Sequence, residues 1–264
     1  MRIDRGLVRR LEHSAADLSL RQASALAVLA PASGATARPL DGGALVAFGA
    51  GRYVNRAIGV GLGSTAADEV VASLGSFYAE MGMAASLEVC PWVGPALLTA
   101  LGADGYRLER FRNVYVHDLT EPPREPAVRI MEVDADTADA RKRILADDAP
   151  VDSEARRISD EFCDAMALVE GSFHLVALVD GTTAACGSLH VVDGVGWLGG
   201  AATLPAQRGT GLQTALVRHR LRMAAELGCT FAAATALPDG QSARNLERLG
   251  FRLAYTQAVL TKPR

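Results

Sequence analysis

The sequence carries an internal echo. Gly105-Tyr106-Arg107-Leu108 returns late in the chain as Gly250-Phe251-Arg252-Leu253, and the surroundings of each copy return with it. EVCPWVGPALLTALGADGYRLERFRNVYVHDL and AATALPDGQSARNLERLGFRLAYTQAVLTKPR both run from an apolar strand through a turn and a short helix to a glycine and an aromatic residue, then into a last strand. A longer helical segment precedes each, DEVVASLGSFYAEMG and LQTALVRHRLRMAAELG, stopped by a glycine suited to a left-handed cap. Agreement in order, spacing and closing glycine-aromatic pair points to a duplicated α/β unit. The proline-rich stretch TEPPREPA, with Pro122, Pro123 and Pro126, denies backbone donors and reads as a linker. The expected domains are therefore 1–120 and 127–264. PASGATARPLDGG, from Pro31 to Gly43, reads as a loop inside the first.

The second half resolves into alternating elements. VRIMEV reads as a strand, ARKRILADDA and SEARRISDEFCDAMALV as helices, and SFHLVALVDG with TTAACGSLHVVDG as strands paired around Asp180-Gly181. VGWLGGAAT is a strand, followed by a turn, the long helix, the strand TFAAATA, a short helix over SARNLERL and the strand FRLAYTQAVLT. This is a mixed sheet with helices on both faces.

With 264 residues, 49% of them hydrophobic, the chain can bury a core in each half. Its four cysteines, Cys90, Cys163, Cys186 and Cys229, are too scattered for a disulfide framework or a zinc spacing, which suits a reducing cytoplasm. MRIDRGLVRRLEHSAADL is too charged for a signal peptide, and no stretch is apolar enough to span a bilayer, so a soluble protein without a membrane partner is expected. A net charge of −3 and a pI near 6.0, with acids and bases interspersed, argue against a nucleic-acid partner.

The turn TLPAQRGTGLQT carries the chemistry. After the strand the chain must reverse in QRGTG and start a helix whose first amide hydrogens have no internal partner. Gly209 and Gly211 allow positive φ and a close ligand approach, and the helix dipole adds partial positive charge, so the junction suits a phosphate. Arg208 adds a cation, and Thr210 and Thr214 add hydroxyls. A Walker-type loop is excluded because no Gly-Lys-Ser/Thr occurs, and a dinucleotide fingerprint because Thr214 stands where a third glycine belongs.

Arg208-Gly-Thr-Gly211 three residues after Pro205, a helix, and then Asn245-Leu-Glu-Arg-Leu-Gly-Phe251 together resemble the GCN5-related N-acetyltransferase (GNAT) family, whose signature is Arg/Gln-x-x-Gly-x-Gly/Ala. The resemblance covers roughly the last half of the chain, and Gln213 departs from it at the final position. It implies two GNAT-like domains, each a mixed, largely antiparallel sheet flanked by helices, the N-terminal one degenerate. It further implies that Gln207, Arg208, Gly209, Thr210, Gly211, Leu212, Gln213 and Thr214 hold the pyrophosphate of acetyl-CoA as co-substrate. Ala202, Thr203 and Leu204 are matched to the splayed strand whose free amides pair with the pantetheine arm and thioester carbonyl. Asn245 is expected to hydrogen-bond cofactor or a bridging water.

Many relatives place a tyrosine four residues before the Gly-Phe pair to protonate the departing thiolate; here that position is Leu246. His190 and Tyr255 are the candidates for catalytic base and substitute acid, each against the alternative of a structural role in a strand. On the long helix Leu212, Leu216, Met223 and Leu227 form a core stripe, with Arg218 and Arg222 on a solvated face and Arg220 unexplained within the apolar arc. Carboxylates in DDAPVDSEAR and SDEF could attract a cationic amine or merely favour helix N-termini.

The first half offers Gly63-Ser-Thr-Ala66 followed by Asp68 and Glu69 where the second offers Arg208 and its glycines, so it is not expected to hold acetyl-CoA. Resemblance to tandem members of the family, in which one copy is inactive, implies that the first half walls the acceptor cleft. Asn55 and Arg56, beside Tyr53, could serve that cleft or stabilise a loop, and Trp92 and Trp197 read as packing residues. The leading expectation is an N-acetyltransferase acting on a primary amine of a small molecule or a protein terminus. An acyl-CoA-binding regulatory module without turnover, or a structural pair of folds without ligand, stand as alternatives. An oligomer is compatible with the sequence.

Overall fold

Asp-Gly pairs set the hairpins. Asp41-Gly42, Asp180-Gly181 and Asp193-Gly194 all take positive φ, the geometry of tight two-residue turns whose twist matches that of the strands they join. In the computed structural model these turns join antiparallel strands at Leu40↔Gly43, Val179↔Thr182 and Val192↔Val195. All residues are described except Tyr53, Pro122, Pro123, Glu125, Pro126, Asp148 and Arg264. The linker expected at Pro122, Pro123 and Pro126 and the part expected of Tyr53 lie outside the described residues.

The chain forms two units, one of Met1–Val114, Ala236–Gly240 and Leu253–Arg264, the other of Tyr115–Thr235 and Gln241–Arg252. The first unit holds α1 (Arg5–Leu29), β1 (Thr36–Leu40), β2 (Gly43–Ala47), β3 (Arg56–Ile58), α2 (Ala67–Glu80), β4 (Ala85–Val89), α3 (Pro95–Ala103) and most of β5 (Arg107–Asp118). The second holds β6 (Arg129–Glu132), α4 (Ala135–Leu145), α5 (Glu154–Ala167), β7 (Ser172–Val179), β8 (Thr182–Val192), β9 (Val195–Thr203), α6 (Leu212–Glu226), β10 (Phe231–Ala236, of which Phe231–Thr235 belong here) and α7 (Gln241–Arg248). The last strand, β11 (Arg252–Lys262), packs from Leu253 onward in the first unit, antiparallel to β4 from Ala258↔Val89 to Lys262↔Ala85.

Each sheet mixes directions. In the first unit β1, β2 and β3 pair antiparallel in turn, β3 and β4 parallel. In the second the order is β10-β9-β8-β7-β6, antiparallel except between β9 and β10. Side-chain alternation on this sheet feeds two core layers. Leu175, Ala177 and Ala185 pack with Leu212 and Leu216 of α6, whereas Val176 and Cys186 pack with Ile144 of α4.

The repeat is visible in the backbone: Gly105 after α3 and Gly250 after α7 both sit at φ +88°, a conformation that L side chains avoid. Two segments depart from expectation. Thr36–Leu40, inside the stretch read as a loop, is the strand β1, in which Pro39 is tolerated because β1 is an edge strand. The N-terminal segment, whose charges gave no helix in the sequence, forms the 25-residue helix α1; its buried face carries Val8, Leu11, Ala23 and Leu26 but also Glu12, Ser14 and Ser19. No helix among the described residues is long and apolar enough to cross a membrane.

Candidate acyl-carrier site

The local sequence dictates an open helix start. After β9, Pro205–Gln207 makes one 3-10 turn, Arg208 is extended, and Gly209 and Gly211 take φ of +80° and +88°. Gly211 is the N-cap of α6 and supplies no side-chain cap, so the first amide hydrogens of a 15-residue helix are left without one. This is not the habit of the unit: Asp134 and Thr137 close a capping box on α4, and Ser153 caps α5. A Cβ at Gly209 or Gly211 would meet nothing within 4 Å.

A cleft of about 990 Å³ opens here, lined wholly by residues of the second unit, among them Gly199, Thr203, Arg208, Gly211, Asn245 and Leu246. Its depth comes from strand divergence. The parallel pairing of β9 with β10 ends at Leu198↔Ala234, while β9 continues to Thr203 beside β8. A bulge between Cys186 and Ser188 of β8 lies opposite Gly200 and Ala201. The Leu204 amide donates to the Ala184 carbonyl at 2.9 Å, so it points toward β8 and is not free for a ligand. Strand alternation gives Ala202 the same direction and turns the Thr203 N–H toward the side that β10 has left. Of the three residues matched to the arm-binding edge, Thr203 alone has its amide directed there.

The loop side chains sort themselves. Gln213, the departure from the family signature, folds back on the strand: its Nε2 donates to the Ala202 carbonyl and to Thr203 Oγ1, both at 2.9 Å, and so leaves the loop clear. Thr210 Oγ1 donates to the Gln207 carbonyl at 2.6 Å, bracing the turn. Arg208 is exposed, with Nε 3.4 Å from the Thr203 carbonyl and a guanidinium nitrogen 3.7 Å from Asp147. Leu212 is buried beneath the helix start, and Gln207 and Thr214 line the cleft half-buried. Asn245, on α7, lines the cleft with its Oδ1 accepting from Gln241 and Arg248. Leu246 beside it is buried and apolar.

His190 and Tyr255 belong to different units. His190 is buried on β8, Nδ1 2.7 Å from Ser172 Oγ and its ring 5.9 Å from that of His174. Burial, with His174, Arg141 and Arg220 nearby, pushes it down to about 3. His174 falls to about 4 through burial and the adjacent Arg141, whose guanidinium lies 3.1 Å from His174 Nδ1. Both rings are therefore neutral at physiological pH. Tyr255 belongs to the first unit, where its hydroxyl donates to Glu12 at 2.6 Å, and burial beside that carboxyl holds it well above its ordinary value. His190 does not line the cleft.

The equivalent junction of the first unit is filled by its own side chain. A Cβ at Gly63 would lie 2.2 Å from Asp41 Oδ1, which also accepts from the Thr65 amide at 2.8 Å. Asp68 and Glu69 in the first turn of α2 add like charge. Asn55 ties a loop together: it accepts from the Phe48 amide and donates to the carbonyls of Gly49 and Arg52, while Arg56 lies 3.0 Å from Glu88.

Comparison with known proteins adds independent weight. Residues 139–251 match the acetyltransferase (GNAT) family. No curated protein matches in sequence. Among solved structures, a GCN5-related N-acetyltransferase from Kribbella flavida is similar at 20% identity with a TM-score of 0.65, over 93% of this chain and 96% of that one. A tandem GNAT protein from the clavulanic acid biosynthesis pathway, solved without AcCoA, is similar at 14% identity with a TM-score of 0.61, over 97% and 94%. At these identities the likeness is one of fold. Residues 139–251 thus match the acetyltransferase (GNAT) family, in a chain whose fold is similar to that of a tandem GNAT protein.

Proposed function

We propose that the second unit binds acetyl-CoA and transfers its acetyl group to a primary amine, of a small molecule or a protein terminus, in the cytoplasm. One observation carries the reading: the uncapped start of α6, behind Arg208 and two glycines whose Cβ positions are open space, faces a cleft that continues along the unpaired edge of β9. Oriented amide donors and a cation suit a diphosphate, and the filled counterpart at Gly63 shows what the same turn looks like when it has its own acid. Four free, buried cysteines fit a reducing compartment.

When bound, the thioester supplies an acyl carbon activated for attack by an amine. The Thr203 amide, directed at the open edge, is placed to bond the arm, and the bulged Gly200-Ala201 segment to polarise the carbonyl. Leu246 excludes water but offers no proton, which also favours a second reading, an acyl-CoA-binding module without turnover.

Isothermal titration of acetyl-CoA into the wild type, Arg208→Glu and Gly211→Asp tests the site. Binding by the wild type and its marked weakening in both folded variants is the expected result; normal binding in both variants overturns the placement. Thioester cleavage with a panel of amines then separates transfer from binding alone.

A further inference from the structure

Arg220 is the residue of α6 that an amphipathic reading leaves without a reason. It is 2% exposed and has no carboxylate partner among the described residues. Its donors go to backbone carbonyls: Nε to Leu216 at 3.0 Å, and one terminal nitrogen to Ser188 at 3.0 Å and Gly199 at 3.2 Å. Gly187, at the β8 bulge, makes the room, since a Cβ there would lie 2.8 Å from the guanidinium carbon. These contacts fix the cation at the point where β9 and β10 part, and Arg220 lines the cleft together with Gly199, Ala234 and Leu246.

Position along the elements agrees. Eight residues separate Leu212 from Arg220, about 12 Å down the helix. Gly199 stands a similar distance back along β9 from Thr203, about 13 Å. A ligand anchored by a diphosphate at the helix start and extended along β9 therefore brings its far end to Arg220.

Resting on the proposed function, we propose that Arg220 stabilises the sulfur of bound coenzyme A as a thiolate, doing by fixed charge what a proton donor at position 246 would do by transfer. In the step concerned the amine nitrogen bonds the acyl carbon, the C–S bond breaks with its electron pair left on sulfur, and the amine proton passes to water. The anion so formed faces a cation that is itself buried, and so weakly screened by water, beside the apolar Leu246. Burial lowers the guanidinium to about 10, so it stays charged at neutral pH. The other titratable groups at hand are the exposed Arg208, Arg248 and Asp147 at the cleft, and Cys186, His190, His174 and Arg141 on the strands and on α4; none is an acid buried beside it.

The test needs no acceptor. Free coenzyme A is bound to the full chain, and the thiolate absorbance of the complex is titrated against pH, with the protein alone subtracted. The protein's own thiols do not intrude, because burial raises Cys90 to about 12 and Cys186 to about 11 and lifts Cys163 and Cys229 as well. Relative to an ordinary thiol at about 8.5, the bound thiol is expected about one unit lower or more in the wild type. It returns to the ordinary value in Arg220→Met and keeps most of the shift in Arg220→Lys. Gly187→Ala, which displaces the guanidinium without deleting it, reduces the shift and serves if Arg220→Met does not fold. A wild type that fails to bind coenzyme A overturns the proposed function and this role with it. A wild type that binds with an unshifted thiol, or variants with the same thiol pKa as the wild type, overturns the assignment of Arg220 alone.

Discussion

Arg208 reaches the Thr203 carbonyl and Asp147 with two of its donors, both at long range and both in solvent. Such contacts hold a side chain weakly, so the guanidinium can turn to a phosphate at little cost. Reversing its charge removes a charge-assisted hydrogen bond and adds repulsion, and Arg208→Glu should weaken coenzyme A binding about 10- to 100-fold in titration calorimetry. Asp147→Asn, which removes a competitor for the same guanidinium, should strengthen it by about two- to threefold at most. The motif singles out Arg208 and both glycines from sequence because turn chemistry is local, and all three line the cleft. The partners of Gln213, Leu204, His190 and Tyr255 were not legible, since each is set by a residue far off in the chain: Ala202, Ala184, Ser172 and Glu12. Arg220 gave the one usable warning, a charge in an apolar arc.

The helix α6 starts at a glycine with φ +88°, whereas α4 starts at a capping box. Gly211→Ala forces a side chain into that backbone conformation and should lower stability by about 1–2 kcal/mol in urea denaturation. Asp134→Ala should cost about 1 kcal/mol and leave coenzyme A affinity unchanged, because its amides serve only the fold. Asp-Gly hairpins and glycine-stopped helices were readable because turn chemistry is local. The helix α1 and the edge strand β1 were not: small and polar residues dilute the helical period of the first, and Pro39 with its flanking glycines imitates a loop in the second. The end of β9–β10 pairing at Leu198, on which the cleft depends, belongs to strand register and is anticipated only through the family resemblance, which matches residues 202–204 to a splayed strand.

Across the molecule the two units carry opposite pH signatures. In the first, burial raises Glu12 from 4.5 to about 7 despite hydrogen bonds from Tyr255 and Gln257. Its folded form holds a proton that the unfolded chain releases, so stability falls as pH rises from 4.5 through 7 and then levels. Glu12→Gln should therefore melt close to the wild type at pH 4.5 and above it at pH 8, by a difference on the order of a few kcal/mol; a difference independent of pH contradicts the burial of a titrating carboxyl. In the second unit His174 and His190 are depressed from 6.5 to about 4 and about 3, so their contribution is complete above 6.5 and is lost as pH falls toward those values.

The proposed division of labour, one junction open for a diphosphate and its counterpart filled by Asp41, meets its most direct trial in a crystal structure of the full chain with coenzyme A. The diphosphate is predicted within hydrogen-bonding distance of backbone N–H groups between Gly209 and Thr214, with the ligand's arm running along β9 past Thr203 toward Gly199. Coenzyme A seated at Gly63–Ala66 of the first unit, or bound with its diphosphate away from the start of α6, would contradict it.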